Sequence, residues 1–227
     1  MNLFYAPPEQ VQGRTLTLAG DEARHASKVL RYQVGDAIFI TDGVGNQYEG
    51  RVEVAGKNDL QVSILHKHFT PKPGELILVL GVLKNRQRLE FAIEKAVEIG
   101  STKIILFKSD HSERSKVNVD RLQTIAGSAM KQSLRSYLPA IQYHHSLEDA
   151  IGDYKNMSLI TAHEKQKNET LEIFKLDTDY LALVGPEGGF SEDEMQLMKD
   201  NKARIISLGD HRLRAETAVV ALLSRFY

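Results

Sequence analysis

From Glu75 onward, short apolar runs alternate with amphipathic helical stripes, and no other feature constrains the fold of this chain as much. Glu75 to Leu83 is a continuous apolar run, the pattern of a strand covered on both faces of a parallel sheet. Arg86 to Ile99 places Leu89, Ala92, Ile93, Ala96 and Val97 on one helical stripe, and Gly100 can end it. Lys103 to Phe107 is the next strand, and Leu122, Ile125, Ala126, Ala129 and Met130 form another stripe. Strand patterns recur at Ala140 to Tyr143, Met157 to Ala162, Tyr180 to Val184 and Ala203 to Leu208. Ser191 and Glu194 have capping-box spacing. A last helix, from about Ala215 to Phe226, would bury Ala218, Val219, Leu222, Leu223 and Phe226. This alternation of strand and helix patterns predicts an α/β domain with a parallel sheet.

The pattern begins after Thr70-Pro71-Lys72-Pro73-Gly74, where two prolines and a glycine suppress both helix and strand. Residues 71–74 therefore read as a linker between a first domain over 1–70 and a second over 75–227. In the first, Asp36 to Ile40 ends at the turn signal Thr41-Asp42-Gly43. Gln47 to Val54 and Asp59 to Leu65 flank a hairpin turn at Gly56 to Asp59. One helix is predicted from Asp21 to Arg31. A small β-barrel-like module is the simplest reading.

Composition narrows the chemistry. With no cysteine, disulfides, thiolate nucleophiles and Cys-ligated zinc are excluded, which fits a reducing compartment. The N-terminal segment carries no basic stretch leading into an apolar one, so no secretory leader is expected. No run approaches the roughly 20 apolar residues of a membrane span, so no membrane partner is expected and the cytoplasm is the natural location. The 29 basic and 30 acidic side chains nearly cancel, so any nucleic-acid surface must come from local clustering.

Ligands of open α/β sheets bind beyond the carboxyl ends of the strands. Two such ends are unusual. One is Val184-Gly185-Pro186-Glu187-Gly188-Gly189-Phe190, a glycine-rich turn around one glutamate. The other is Leu208-Gly209-Asp210-His211-Arg212-Leu213-Arg214-Ala215-Glu216-Thr217, a charged loop running straight into an apolar helix. Either alone also reads as a tight connection; two charged loops in one sheet favour a site. Neither the dinucleotide fingerprint, nor the P-loop, nor the hydrolase nucleophile elbow occurs. The histidines His66, His68, His144 and His145 lack spaced acidic partners, so surface or packing roles are expected of them and no metal.

Taken together, these loops resemble the paired signature of the ribosomal RNA small subunit methyltransferase E family. Further likenesses are His25 with Val29-Leu30-Arg31, Glu94-Lys95-Ala96 with Glu98-Ile99-Gly100, Ser112-Glu113-Arg114-Ser115, and Gln132-Ser133 with Arg135 and Leu138-Pro139. They span essentially the full length. The chain departs from the family's pattern at Asp210-His211 and at Lys131.

The resemblance implies a SPOUT-type α/β domain with a deep trefoil knot, preceded by a PUA-like β barrel that grips RNA. It implies a homodimer that methylates N3 of a uridine in small-subunit (16S) ribosomal RNA, using S-adenosyl-L-methionine. The cofactor would meet Leu183, Gly185, Glu187, Gly188, Gly189, Leu208, Gly209, Leu213, Arg214 and Thr217, although Glu187 can equally serve to orient its loop. Uridine N3 must lose a proton; a carboxylate can take it, or a cation can stabilise the resulting charge. Arg214 and Glu216 are the candidates, against the alternative of a surface pair at a helix start. For RNA, Arg24, Lys28 and Arg31 share a face of the predicted helix beside His25, a cluster that also reads as a solvated charged face. Arg86, Arg114 and Arg135 are further candidates. Two readings compete: a SPOUT enzyme acting on another ribosomal or transfer RNA nucleotide, and a non-catalytic RNA-binding assembly factor.

Overall fold

The computed structural model describes residues 2–56, 58–72, 74–113, 116–163, 173–175 and 178–226. The chain forms two compact units, Met1–Lys72 with Gly127–Leu138, and Pro73–Ala126 with Pro139–Tyr227.

The first unit holds β1 (Leu3–Tyr5), β2 (Val11–Gln12), β3 (Thr15–Ala19), α1 (Gly20–Arg24), β4 (Ala37–Thr41), β5 (Asn46–Ala55) and β6 (Asp59–Phe69). Its sheet has the order β1-β4-β5-β6-β3-β2; β1 runs parallel to β4 and the other pairs are antiparallel. Period-two alternation turns Leu16, Leu18, Ile38, Ile40, Leu60 and Val62 inward, where they pack on Phe4. The turn after β4 is organised by Asp42, which is 2 % exposed. Its carboxylate accepts from the backbone N–H groups of Val44 and Asn46 and from the Tyr48 hydroxyl, each at 3.0 Å. Burial, and then this bond, push the Tyr48 phenol up to about 12.

The helix predicted over 21–31 is shorter than its pattern. After α1 the backbone widens into a π turn over His25–Val29, and Leu30 N–H bonds the His25 carbonyl at 3.0 Å. Arg31 lies beyond it at φ 60. Tyr32 anchors the exit by packing edge-on against Phe4 at 5.5 Å. One extra residue per turn breaks the three-to-four spacing, so Arg31 does not continue the face of Arg24 and Lys28.

Residues 127–138 belong to this first unit, so the stretch 75–227 is interrupted. Gly45 N–H bonds the Ser136 carbonyl and Leu138 N–H bonds the Gly43 carbonyl, both at 2.9 Å. The Lys131 ammonium pairs with the Glu22 carboxylate, which gives this departure from the family pattern a local partner.

The second unit contains β7 (Leu76–Gly81), α2 (Arg86–Ile99), β8 (Lys103–Phe107), the start of α3 (Val119–Gln132), β9 (Ala140–His144) and α4 (Leu147–Ile151). It continues with β10 (Ser158–Ala162), β11 (Tyr180–Val184), α5 (Glu192–Asp200), β12 (Arg204–Ile206) and α6 (Ala215–Leu223). Every pair of neighbours is parallel, in the order β12-β10-β11-β7-β8-β9. All six residues of β7 are buried, as a strand covered on both faces requires. Asn85 caps α2, accepting from Gln87 N–H at 2.8 Å and Arg88 N–H at 3.2 Å. Leu89, Ile93 and Val97 then lie fully under cover, each such burial contributing about 1.5–3 kcal/mol. The helix α6 packs on α2 and on β11. Among the described residues no helix is long and apolar enough to cross a membrane.

Candidate active site

Beyond the carboxyl ends of β10, β11 and β12 the second unit opens a cavity of about 500 Å³, within the roughly 300–1,000 Å³ typical of small-molecule sites. The loop after β11 forms one wall, from Val184 to Phe190. The loop after β12 forms the other, and Ala215 and Ala218 of α6 close it. Arg88 of α2 and His163, just past β10, complete the lining.

The β11 loop is braced from several sides. Gly189 turns it at φ +73, and Gly189 N–H bonds the Pro186 carbonyl at 2.9 Å. Phe190 stacks on Phe107 of β8 with ring centres 6.5 Å apart. His111 places Nδ1 3.1 Å from the Gly188 carbonyl. The Glu187 carboxylate accepts from Lys84 N–H at 3.2 Å, and the Glu187 carbonyl accepts from Arg212 Nη2 at 3.4 Å. Glu187 thus ties its loop to the segment after β7 and to the loop after β12, the orienting role left open by the sequence. Lys84 in turn lies 2.6 Å from Glu113, whose carboxylate holds the ammonium above its usual range.

The capping box predicted at α5 is formed: Ser191 Oγ accepts from Glu194 N–H at 3.1 Å, and Glu194 accepts from Ser191 N–H at 2.9 Å. Glu194 also accepts from Ser109 Oγ at 2.9 Å, and Ser191 Oγ donates to Asp110 at 2.6 Å. The loop that carries His111 is therefore pinned to the start of α5.

In the β12 loop, Gly209 sits at φ +136 and its N–H bonds Ser207 Oγ at 3.2 Å. Arg214 is exposed at the N-cap of α6 and makes no side-chain cap there. Glu216 occupies the first turn, where a carboxylate is favoured by the helix dipole. It is 9 % exposed, and its Oε1 lies 3.5 Å from Arg88 Nε.

Of the sequence-predicted residues, Gly185, Glu187, Gly188, Gly189, Leu208, Gly209, Leu213 and Arg214 all line the cavity. Leu183 is buried inside β11, its carbonyl accepting from Thr161 Oγ1 at 3.2 Å. Thr217 is exposed on α6, outside the lining. Arg24, His25, Lys28 and Arg31 are exposed on the first unit, where Arg24 pairs with Asp21 and Arg135 is half-buried. Arg86 starts α2 and holds Glu90 at 2.8 Å. Arg114 lies outside the described residues. No motif marks His163, His111 or, as a lining group, Arg88; strand-end position is the sequence signal for the first, while the others act through space.

Chemically this is a concave site with main-chain groups on two glycine-bearing turns and three guanidinium groups, Arg88, Arg212 and Arg214, on its wall. It suits a heteroaromatic ligand met by main-chain atoms, with cations placed to offset negative charge.

Comparison with known proteins agrees. Residues 70–227 match the family model of an RNA methyltransferase domain and residues 18–65 that of an RNA methyltransferase PUA domain. A Rickettsia conorii protein named ribosomal RNA small subunit methyltransferase E is 32% identical over 99% of this chain and 94% of its own length. A crystal structure of a probable rRNA-methyltransferase from Porphyromonas gingivalis is 33% identical, with TM-score 0.83 over 99% of this chain and 96% of that one. A Neisseria gonorrhoeae ribosomal RNA small subunit methyltransferase E, solved bound to S-adenosyl methionine, is 28% identical with TM-score 0.86 over 99% and 95%. With a parallel α/β unit carrying this cavity and near full-length relatives on both measures, the chain belongs to the ribosomal RNA small subunit methyltransferase E family.

Proposed function

We propose that this protein transfers a methyl group from S-adenosyl-L-methionine to N3 of a uridine in 16S ribosomal RNA, within the small subunit, in the cytoplasm and as a homodimer. The observation that carries the reading is the cavity itself, walled by the two glycine loops of a family member and edged by three arginines. Its size and its main-chain-rich walls fit the cofactor. Gly185, Gly188, Gly189, Leu208 and Gly209 would hold it, with Leu213 against the adenine. Bound there, it supplies an already activated methyl group, so the protein's task is alignment and charge control. Arg214, exposed at the cavity edge, stabilises charge on the target base, and Glu216 belongs to the same constellation.

The first unit is proposed to grip RNA phosphates through Arg24, His25, Lys28, Arg31 and Arg135, with Arg86 contributing from the second. The division into an RNA-gripping domain over 1–70, a linker over 71–74 and a methyltransferase domain over 75–227 is part of the proposal, with 127–138 joined to the first domain. So is the trefoil knot. It is supported by the path of the chain from β12, at the sheet edge, back to α6 against β11 and α2.

The test is methyl transfer from labelled S-adenosylmethionine to small ribosomal subunits lacking the modification, followed by nucleoside analysis. The expected result is 3-methyluridine at one site. Label in another nucleoside would keep the methyltransferase and replace the target. No label and no heat stabilisation by the cofactor would favour a non-catalytic RNA-binding factor.

A further inference from the structure

The pair formed by Arg88 and Glu216 is built unlike a surface ion pair. Arg88 comes from the first turn of α2, Glu216 from the first turn of α6, and the two helices pack on each other. Arg88 lines the cavity; Glu216 does not, although its neighbour Ala215 does. Glu216 Oε1 lies 3.5 Å from Arg88 Nε, and Glu216 Oε2 is buried with no hydrogen-bond partner among the described residues. A carboxylate shut away in this manner cannot reach a base lying in the cavity. Leaving a buried acceptor unmet is costly, and the charge beside this carboxylate is the Arg88 guanidinium, a group whose fork can serve a carboxylate's two oxygens when turned side-on. The arrangement holds a cation at the cavity wall from behind.

Resting on the proposed methyl transfer to uridine N3, we propose that Arg88 is a catalytic residue that stabilises the deprotonated uracil ring, and that Glu216 is its positioning residue and not the base. Solvent hydroxide takes the N3 proton and becomes water, and the negative charge spreads over the ring beside the Arg88 guanidinium. The N3 lone pair then forms the new nitrogen–carbon bond to the methyl group, and the carbon–sulfur bond breaks with its electron pair left on sulfur. Anionic base and cationic donor become two neutral products. The other charged or titratable groups on the wall are His163, Glu187, His211, Arg212 and Arg214. Of these, Glu187 is engaged by Lys84 N–H, leaving no lining carboxylate without a donor.

Two measurements test this. The first is nitrogen-15 spectroscopy of the arginine side chains in the whole protein, with the Arg88 Nε–H resonance identified by its loss in R88K. Glu216→Gln should shift that resonance and speed its exchange with solvent; an unchanged resonance would overturn the pairing. The second is single-turnover methyl transfer across pH, with cofactor affinity measured by calorimetry. Arg88→Gln should lose about a hundredfold at neutral pH, the order seen when one preorganised charge-stabilising group is removed. Its rate should go on rising with pH after the wild type has levelled, so the gap narrows, while cofactor affinity stays within about twofold of wild type. Arg88→Lys should recover part of the loss, and Glu216→Gln should show a smaller loss with the same pH shape. A pH-independent loss, or wild-type rates in R88Q and R88K, would overturn the role of Arg88; a flat profile in E216Q would make Glu216 the base. A wild-type protein that binds no cofactor and transfers no methyl group would instead bring down the proposed function itself, a failure visible before any variant is made.

Discussion

Replacing Gly81 with alanine adds one methyl group at the end of β7, where the next strand's loop already fills the space. A Cβ built there lies 2.5 Å from Pro186 Cδ and 2.7 Å from Pro186 N. Both neighbours belong to a ring fixed to the main chain, so no side chain can swing aside. Restoring ordinary contact requires the 185–190 loop or the end of β7 to move by about 0.9 Å, an overpacking that costs about 1–3 kcal/mol. In a chain of this size each kcal/mol moves the melting temperature by about 2–4 °C, so Gly81→Ala should melt roughly 2–12 °C below wild type. The displaced loop also walls the cofactor cavity, and a misplacement of about 1 Å can cost a hundredfold in rate. Melting curves with and without S-adenosylhomocysteine, followed by labelled methyl transfer, read both effects. Gly127→Ala is the internal comparison. It lies inside α3 and its Cβ would meet nothing within 4 Å. There the same substitution should raise stability by about 0.5–1 kcal/mol through helix propensity. If Gly81→Ala melts with the wild type and keeps its full response to the cofactor analogue, the close approach of β7 to Pro186 does not shape the site.

Tyr48→Phe should cost about 1 kcal/mol at neutral pH, through the lost bond to Asp42. The wild-type phenol is raised from 10.0 to about 12 in the fold, so its contribution is complete below pH 10 and fades as pH climbs toward 12. The melting gap between wild type and variant should therefore close over that range; a constant gap would contradict the assignment. Ser191→Ala removes the α5 cap and the bond to Asp110, costing about 1 kcal/mol. Because the same network steadies the loop that bears His111, calorimetry should also show weaker cofactor binding, and unchanged affinity would mean that this loop is no brace. Arg214→Ala removes an exposed side chain that caps nothing. It should leave the melt within about 0.5 kcal/mol of wild type while methyl transfer drops about a hundredfold; near-normal turnover would remove Arg214 from the catalytic residues.

Much of this architecture was legible in the sequence because the signals were local. The stripe of Leu89, Ala92, Ile93, Ala96 and Val97 fixed α2 as Arg86–Ile99, and the runs Lys103–Phe107 and Tyr180–Val184 are strands with those bounds. Elements that depend on distant partners were harder to read. The strand β1 has three residues and exists because it pairs in parallel with β4. The short helix α4 adds only one turn, below the length at which periodicity speaks. The π turn at His25–Val29 rests on a hydrogen bond five residues long that no propensity marks, and it redirects Arg31. Residues 127–132 continue the regular stripe of α3, yet they belong with the first unit, to which Leu134, Ser136 and Leu138 just beyond the helix are tied by hydrogen bonds with Gln47, Gly45 and Gly43.

The site divides along the same line. Glycine loops announce themselves because what they offer is main chain, and the freedom of that main chain is written in the residues of the loop itself. The groups that decide what such loops can do arrive from elsewhere in the sheet. His111 reaches Gly188 from the end of β8, Lys84 reaches Glu187 from the end of β7, and Arg88 reaches Glu216 across two packed helices. A carboxylate in a loop motif reads as a base when it is seen alone; once its guanidinium partner is in place and its free oxygen is under cover, it reads as the anchor of a cation. The chemistry of the cavity is therefore set less by the motif that marks it than by the charges which the parallel sheet brings to the motif's edge.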